Sequence, residues 1–211
     1  MKMKAALMYG PNDIRVEETE KPECPKDGLI LKIMAVGLCG SDIRNLTTDS
    51  KKGNYPFIYG HEIVGYVDEV GSEQTRYSVG QRLFLFPGTY CMECDECISG
   101  HSENCSNESV AKLAGTGGFA QYVAVSGAKI HYGGIYEIPD DVSFDAASLG
   151  EPLTSVYACL ENVDVSFPDT LVIIGAGPVS YTHLKSVSVI CTTPILSIFS
   201  STNRFTSVSA I

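Results

Sequence analysis

The chain has 211 residues, of which 44% are apolar, so it is long and hydrophobic enough to bury a core. Its formal charge of −10 argues against nucleic acid and anionic membranes as partners. No apolar run is long enough to span a bilayer, and the basic start lacks an apolar core with a cleavage site, so we expect a cytoplasmic protein.

Short apolar runs separated by glycine and proline turns make up the first part of the chain. Residues 4–36 alternate in strand fashion, and further strands are predicted within 63–67, 79–86 and 115–123. Many short strands joined by glycine turns are typical of a small β-barrel.

A different pattern begins near Ser143, where a capped helical turn is predicted. Glu151-Pro152 then opens a second helix, because proline suits the first helical position. The apolar run at 170–174 enters a glycine turn, which is typical of a buried parallel strand. Together with the strands before them, these elements predict a mixed α/β chain.

The segment 37–42, with the sequence GLCGSD, combines a thiol, a hydroxyl and a carboxylate within four residues. We interpret Cys39 as the anchor of a catalytic metal, Ser41 as a proton carrier and Asp42 as a hydrogen-bond acceptor that orients a ligand.

A second pattern supplies candidate partners for Cys39, namely His61, Glu62 and Glu151. A catalytic zinc prefers mixed nitrogen, sulfur and oxygen ligands with one exchangeable position. Each residue alone has an ordinary alternative, since a lone histidine is usually a satisfied polar residue and a lone cysteine usually packs in a core.

Four cysteines lie within the acidic segment 87–112, at Cys91, Cys94, Cys97 and Cys105. In a reducing compartment, clustered cysteines are more often metal ligands than disulfides. Four thiolates form a closed tetrahedral zinc site with no position left for substrate, so a structural role is predicted. One alternative is an iron–sulfur cluster, but its usual cysteine run has a shorter gap before the last cysteine and a proline after it, and this segment has neither. The other alternative is free or disulfide-bonded cysteines.

The glycine turn at 175–178, with the sequence GAGP, begins a dinucleotide-binding fingerprint. Gly175 permits the tight turn and Gly177 lets the backbone approach a pyrophosphate, so these residues and Pro178 are candidate cofactor contacts. The fingerprint is incomplete, because Ser180 occupies the third glycine position and no acidic residue follows.

These motifs in this order resemble the zinc-dependent medium-chain dehydrogenases, the superfamily of alcohol, polyol and threonine dehydrogenases. The resemblance covers residues 4–178, and GEPL at 150–153 is similar to the polyol, sorbitol dehydrogenase-like branch. It implies three regions. They are a GroES-like zinc catalytic domain at 1–150 with a structural zinc lobe at 87–112, a connecting helix with the first Rossmann strand at 151–178, and a tail at 179–211.

The resemblance also implies an activity, the reversible oxidation of a polyol or related secondary alcohol with NAD or NADP. One catalytic and one structural zinc are expected, and Ser41, Glu62 and Glu151 are the implied catalytic residues. Glu62 and Glu151 share the third ligand position, or one coordinates while the other holds the bound water. The full-length parent is expected to be a homo-oligomer.

One departure from the family pattern concerns the proton path. Many members have a histidine five residues after the zinc cysteine, and here that position is Arg44. A guanidinium cannot pass on a proton in the same way, but it can pair with a phosphate or carboxylate on the substrate. The alternative is that Arg44 pairs with Asp42 or faces solvent.

The second departure is the tail at 179–211, which contains no Asp, Glu or Gly. Its start at 179–184, VSYTHL, looks like a translated transposon-end adapter. We therefore expect a non-native or disordered tail, and an amino-terminal fragment without dehydrogenase activity of its own. The alternative function is then a zinc-binding domain without catalysis.

Overall fold

A computed structural model describes three stretches of the chain and the backbone of three further short strands. The stretches are residues 1–49, 55–107 and 117–163, and the strands lie at 172–174, 195–199 and 205–209. The predicted cofactor contacts Gly175, Gly177 and Pro178, and the start of the predicted tail, lie outside the described residues.

The described residues form eleven strands and five α-helices. The strands are Lys2–Gly10 (β1), Asp13–Glu20 (β2), Leu29–Gly37 (β3), Phe57–Ile58 (β4), Glu62–Val70 (β5), Arg82–Thr89 (β6), Tyr122–Val125 (β7), Gly133–Glu137 (β8), Val172–Ile174 (β9), Ile195–Phe199 (β10) and Phe205–Ser209 (β11). The helices are Gly40–Thr47 (α1), Asp95–Ile98 (α2), Gly127–Tyr132 (α3), Phe144–Ser148 (α4) and Gly150–Val163 (α5), with a 3₁₀ turn at Ser102–Asn104.

The chain divides into two compact units, Met1–Leu149 and Gly150–Ile211. In the first unit, a five-stranded antiparallel sheet has the order β7-β3-β5-β6-β8, and a three-stranded sheet has the order β2-β1-β4. A bridge between Ala5 and Ala120 links the two sheets. This arrangement agrees with the β-barrel that the short strands predict.

The core of the first unit comes from one face of the five-stranded sheet and from the helix α3. Its members are Leu29, Leu31, Ile63, Val67, Leu83, Leu85, Val123, Val125, Ile130 and Ile135. Because successive strand residues face opposite sides, the members from one strand are an even number of residues apart, and Ile130 joins them from α3. The hydrophobic core therefore fixes the register of β3 against β5, which positions the candidate site.

The predicted helical turn is present as α4, and the Ser143 hydroxyl accepts a hydrogen bond from the backbone N–H of Ala146 at 3.1 Å. In the second unit, α5 begins at Gly150, one residue before the predicted start, and β9 pairs in parallel with β10. None of the helices in the described part of the chain is long and apolar enough to cross a membrane.

Candidate metal centres

The antiparallel pairing of β3 with β5 brings together the two motifs that carry Cys39 and His61. Gly37, the last residue of β3, lies opposite Glu62, the first residue of β5. Cys39 follows two residues after Gly37, and His61 immediately precedes Glu62. A single strand register thus places residues that are more than twenty positions apart at one end of the sheet.

A glycine at position 37 accommodates the side chain of Glu62. A Cβ atom on Gly37 would lie 1.6 Å from a carboxylate oxygen of Glu62, so any other residue there would displace that carboxylate. The absent side chain leaves room for Glu62 to fold over the end of β3, where only 5% of it is exposed.

One ligand atom from each of Cys39, His61 and Glu62 lies within 4.8 Å of the other two. Zinc bonds to sulfur, nitrogen and oxygen are about 2.0–2.3 Å long, so donors this close can share one ion after small side-chain rotations. A thiolate, an imidazole and a carboxylate are also the donor types of a catalytic zinc site. The residues therefore fit the predicted metal.

Asp42 holds Cys39 and His61, two of these candidate ligands, in place. Its Oδ2 accepts a hydrogen bond from the backbone N–H of Cys39 at 3.0 Å, and its Oδ1 lies 3.4 Å from Nδ1 of His61. Because this carboxylate lies at Nδ1, Nε2 is the candidate metal-binding nitrogen of His61. Asp42 thus orients the imidazole and fixes the start of α1.

The charge on Asp42 is retained although the side chain is only 1% exposed. Burial alone would raise the pKa of this carboxyl, but hydrogen bonds from His61 and from the backbone of Cys39 and Gly60 outweigh burial and hold the pKa below its usual range. A charged carboxylate beside the imidazole makes it a stronger metal ligand.

The turn before His61 is held from the other side by the segment 117–119. Gly60 has a φ of +92°, a conformation that favours glycine. The backbone N–H of Gly118 donates to the carbonyl of Gly60 at 2.8 Å, and that of Phe119 donates to the carbonyl of Tyr59 at 2.9 Å. The GFAQYV motif at 118–123 therefore supports the histidine rather than contributing a ligand.

A cavity of about 320 Å³ is lined by both Asp42 and His61. Its walls are mostly apolar, with Lys129 among the other polar lining residues, and neither Cys39 nor Glu62 lines it. The cavity thus borders the Asp42–His61 pair but not the other two candidate ligands.

The four cysteines of the acidic segment converge in a second cluster. One sulfur from each of Cys91, Cys94, Cys97 and Cys105 lies within 4.8 Å of the other three, and the sulfurs of Cys91 and Cys97 are 3.9 Å apart. Bonds of about 2.3 Å to a tetrahedral zinc separate two sulfurs by about 3.8 Å. A disulfide needs sulfurs about 2.05 Å apart, and all four cysteines are free.

Backbone N–H groups surround these sulfurs, as they do in thiolate metal sites. Cys91 Sγ accepts from the N–H of Cys94 at 3.3 Å and from that of Glu93 at 3.5 Å. Met92, between Cys91 and Glu93, has a φ of +60°, which turns the N–H groups of Glu93 and Cys94 toward the Cys91 sulfur. Cys105 Sγ accepts from the N–H of Cys91 at 3.4 Å.

Hydrogen bonds and burial shift the pKa values of three of the four thiols in this cluster. Backbone N–H groups of Cys97 and Ser106 lower the pKa of Cys94 to about 6, and those of Cys91 and Asn107 lower the pKa of Cys105. Burial raises the pKa of Cys97 to about 11. Cys94 is therefore a thiolate near neutral pH, Cys105 loses its proton more readily than an ordinary cysteine, and a bound Zn²⁺ would favour deprotonation of the others.

Comparison with known proteins identifies the family of the chain. The family model described as the alcohol dehydrogenase GroES-like domain matches residues 25–139, more than half of the chain. The chain belongs to this family. The match includes Cys39, His61, Glu62 and the four cysteines of the lobe.

Individual relatives of this GroES-like domain are dehydrogenases. The sorbitol dehydrogenase of Bacillus subtilis is 34% identical over 182 residues, which are 84% of this chain and 50% of that protein. The chain spans about half the length of the curated relatives it matches.

Solved structures share the fold. Galactitol-1-phosphate dehydrogenase from Escherichia coli superposes with a TM-score of 0.78 at 25% identity, over 92% of this chain and 55% of that chain. A protein described as a zinc-binding dehydrogenase, from Sinorhizobium meliloti and bound to NADP, superposes with a TM-score of 0.74 at 29% identity, over 93% of this chain and 56% of that chain.

The remaining predicted residues of this GroES-like chain lie on α1 and α5. Ser41 is half-buried in the first turn of α1, and Arg44 is exposed in its last turn. Glu151 is half-buried in the first turn of α5, which belongs to the second unit.

Two supporting residues were not predicted from the sequence. Gly37 leaves room for the Glu62 side chain because the two residues are paired in the strand register, which no local pattern reveals. Lys129, a buried lysine of α3, lies far along the chain from both clusters. The hydrogen bond from Cys39 to Asp42 does have a local signal, since an acidic residue three positions after a helix N-cap commonly accepts from the cap N–H.

We expect Asp42→Asn to weaken the Cys39–His61–Glu62 site selectively. The change keeps the side chain's shape but removes the charge that orients His61, so its zinc affinity should fall about 10–100-fold. Chelator competition measures this, with Asp140→Asn as a control at an exposed carboxylate. Unchanged affinity, or an equal loss at the four-cysteine cluster, would contradict the role of Asp42.

Proposed function

We propose that the full-length parent is a zinc-dependent NAD(P) oxidoreductase that acts on the CH–OH group of a polyol, sugar alcohol or related secondary alcohol. The single observation that carries this proposal is the cluster of Cys39, His61 and Glu62, braced by Asp42. The relatives named as sorbitol and galactitol-1-phosphate dehydrogenases support the polyol class of substrate.

The residues of the cluster take distinct roles in this proposal. Cys39 and His61 hold the catalytic zinc, and Glu62 and Glu151 share the third ligand position, or one coordinates while the other orients water. A zinc ion there would lower the pKa of a substrate hydroxyl. Ser41, half-buried two residues after Cys39, accepts the hydroxyl proton and passes it on.

The four-cysteine cluster holds a second, structural zinc in the same proposal. Its four sulfurs would complete a tetrahedral shell, so no position is left for a substrate. The short spacing of the cysteines lets one ion fix a segment that has only two short helical turns of its own among its described residues.

The cofactor is NAD or NADP, with Gly175, Gly177 and Pro178 as its first contacts. The relative from Sinorhizobium meliloti bound to NADP supports this cofactor class. We further propose a cytoplasmic location, because unpaired cysteines persist in a reducing compartment, and a homo-oligomeric parent.

A second candidate function is a zinc-binding domain without catalysis. The observation that favours it is length, because the chain spans about half of its curated relatives. The two candidates differ in one measurable property, since the domain alone would hold two zinc ions and show no turnover.

We expect the full-length parent, with its reading frame completed beyond Pro178, to reduce NAD or NADP with a polyol, while the 211-residue chain shows no turnover. Cys39→Ala and His61→Ala should each lower kcat/KM at least about 100-fold, because the substrate hydroxyl loses its Lewis acid. The absorbance of NAD(P)H measures this, and Cys24→Ala, at a half-buried cysteine outside both clusters, is the control. A parent with two zinc ions and no turnover on any polyol would contradict the proposal.

A finer part of the proposal concerns substrate charge. Arg44 is exposed in the last turn of α1, while both oxygens of Asp42 interact with His61 and Cys39. This arrangement supports the binding of a phosphate by Arg44 rather than an ion pair between Arg44 and Asp42. The substrate is then a phosphorylated polyol, as for the galactitol-1-phosphate dehydrogenase relative.

Arg44→Ala in the full-length parent tests this assignment. Loss of a charged hydrogen-bond partner should lower kcat/KM for a polyol phosphate about 10–100-fold relative to kcat/KM for the same polyol without the phosphate. Arg15→Ala, at an exposed arginine on β2, is the control and should leave the ratio unchanged. An unchanged ratio in Arg44→Ala would show that Arg44 faces solvent and binds no anion.

A further inference from the structure

Lys129 in α3 is a buried lysine whose two hydrogen-bond acceptors are both neutral. Only 5% of its surface is exposed, and Nζ donates to the backbone carbonyls of Phe86 and Gly88, each at 2.6 Å. Lysine is rarely buried to this degree without a carboxylate. Burial lowers the pKa of its ammonium to about 8, which measures how poorly this environment solvates the charge.

The two carbonyls need a donor because the sheet does not provide one. Leu85 of β6 pairs with Ile135 of β8, and the next pair is Thr89 with Gly133. Four steps along β6 therefore match two steps along β8, so residues 86–88 bulge out of the ladder. Pro87, in the middle of the bulge, has no N–H group of its own. Lys129 supplies hydrogen-bond donors to the carbonyls on both sides of Pro87.

The bulge leads directly into the four-cysteine cluster. Two residues after Gly88, the backbone N–H of Tyr90 donates to the carbonyl of Tyr132 at 2.7 Å, and Cys91 follows. Tyr90 and Tyr132 both pack against the buried cysteines. The first metal ligand is thus placed by two contacts with α3, one through Lys129 and one through Tyr132.

The surroundings of Lys129 are shaped to hold its side chain in one position. The helix α3 starts at the Ser126 hydroxyl, which accepts from the backbone N–H of Lys129 at 3.2 Å. A Cβ atom on Gly133 would lie 2.6 Å from the side-chain Cδ of Lys129 and 2.6 Å from its carbonyl oxygen. Any larger residue at position 133 would therefore push the lysine stem away from the bulge.

We propose that Lys129 is a positioning residue for the four-cysteine metal site, holding the 86–88 bulge so that Cys91 starts the lobe in the geometry that the metal needs. Lys129 is not itself a ligand. This inference rests on the proposed function, because it presumes that the cluster holds zinc.

The test measures zinc release from the purified 211-residue chain with an excess of a colorimetric chelator. All variants carry Cys39→Ala, so that the remaining zinc is the one at the four cysteines. Lys129→Met keeps an unbranched apolar stem and removes the ammonium with its donors, so release should be about 10-fold faster. Lys26→Met, at an exposed lysine, is the matched control and should release zinc at the unmodified rate.

A second variant keeps the test decisive if Lys129→Met folds poorly. Gly133→Ala retains the ammonium but displaces its stem, and it should accelerate release in the same direction. The Cys39–His61–Glu62 site, measured in a Cys94→Ala background, should release zinc at the same rate with and without either change.

Four results separate the possibilities. Faster release from the four-cysteine site alone supports the proposal. An unchanged rate in both variants, or an equal acceleration at both sites, overturns it, the latter because it indicates a general loss of stability. If Cys94→Ala removes no zinc from the unmodified chain, the structural zinc of the proposed function fails as well, and Lys129 has no metal site to position.

Discussion

The buried carboxylate of Asp42 joins two segments that a metal needs side by side, the start of α1 with Cys39 and the start of β5 with His61. A carboxylate with 1% exposure is costly unless its oxygens are hydrogen-bonded. Here an imidazole and backbone N–H groups satisfy it, so its burial stabilises one arrangement of the ligands. The site is therefore organised before a metal arrives, which reduces the cost of binding.

The two clusters depend on the rest of the molecule in different ways. Cys39 meets His61 only because β3 and β5 keep their register, and that register depends on the barrel core. The four cysteines lie close together in sequence, so little loop entropy is lost in gathering them. The lobe depends on the barrel for the position of its first residues, where Tyr90 and the 86–88 bulge contact α3.

How much of this could be predicted from the sequence depends on the distance over which each feature is encoded. The four-cysteine cluster, the helix cap at Ser143 and the acceptor role of Asp42 are local, so spacing alone predicts them. The meeting of Cys39 with His61 is not local, and the family resemblance supplied what periodicity did not. The Gly37–Glu62 contact and the Lys129 hydrogen bonds depend on strand register and a β-bulge, which leave no local pattern. The cofactor turn at 175–178 and most of the tail lie outside the described residues and stay predictions.

In our proposal one chain builds two zinc sites of different chemistry, and zinc X-ray absorption with a zinc count per chain tests this most directly. We expect two zinc ions per chain, with mixed sulfur and nitrogen or oxygen ligation on average. In Cys39→Ala we expect one zinc ion with four sulfur ligands at about 2.3 Å. A single zinc in the unmodified chain, or nitrogen and oxygen ligands on the zinc that remains in Cys39→Ala, would contradict the proposal.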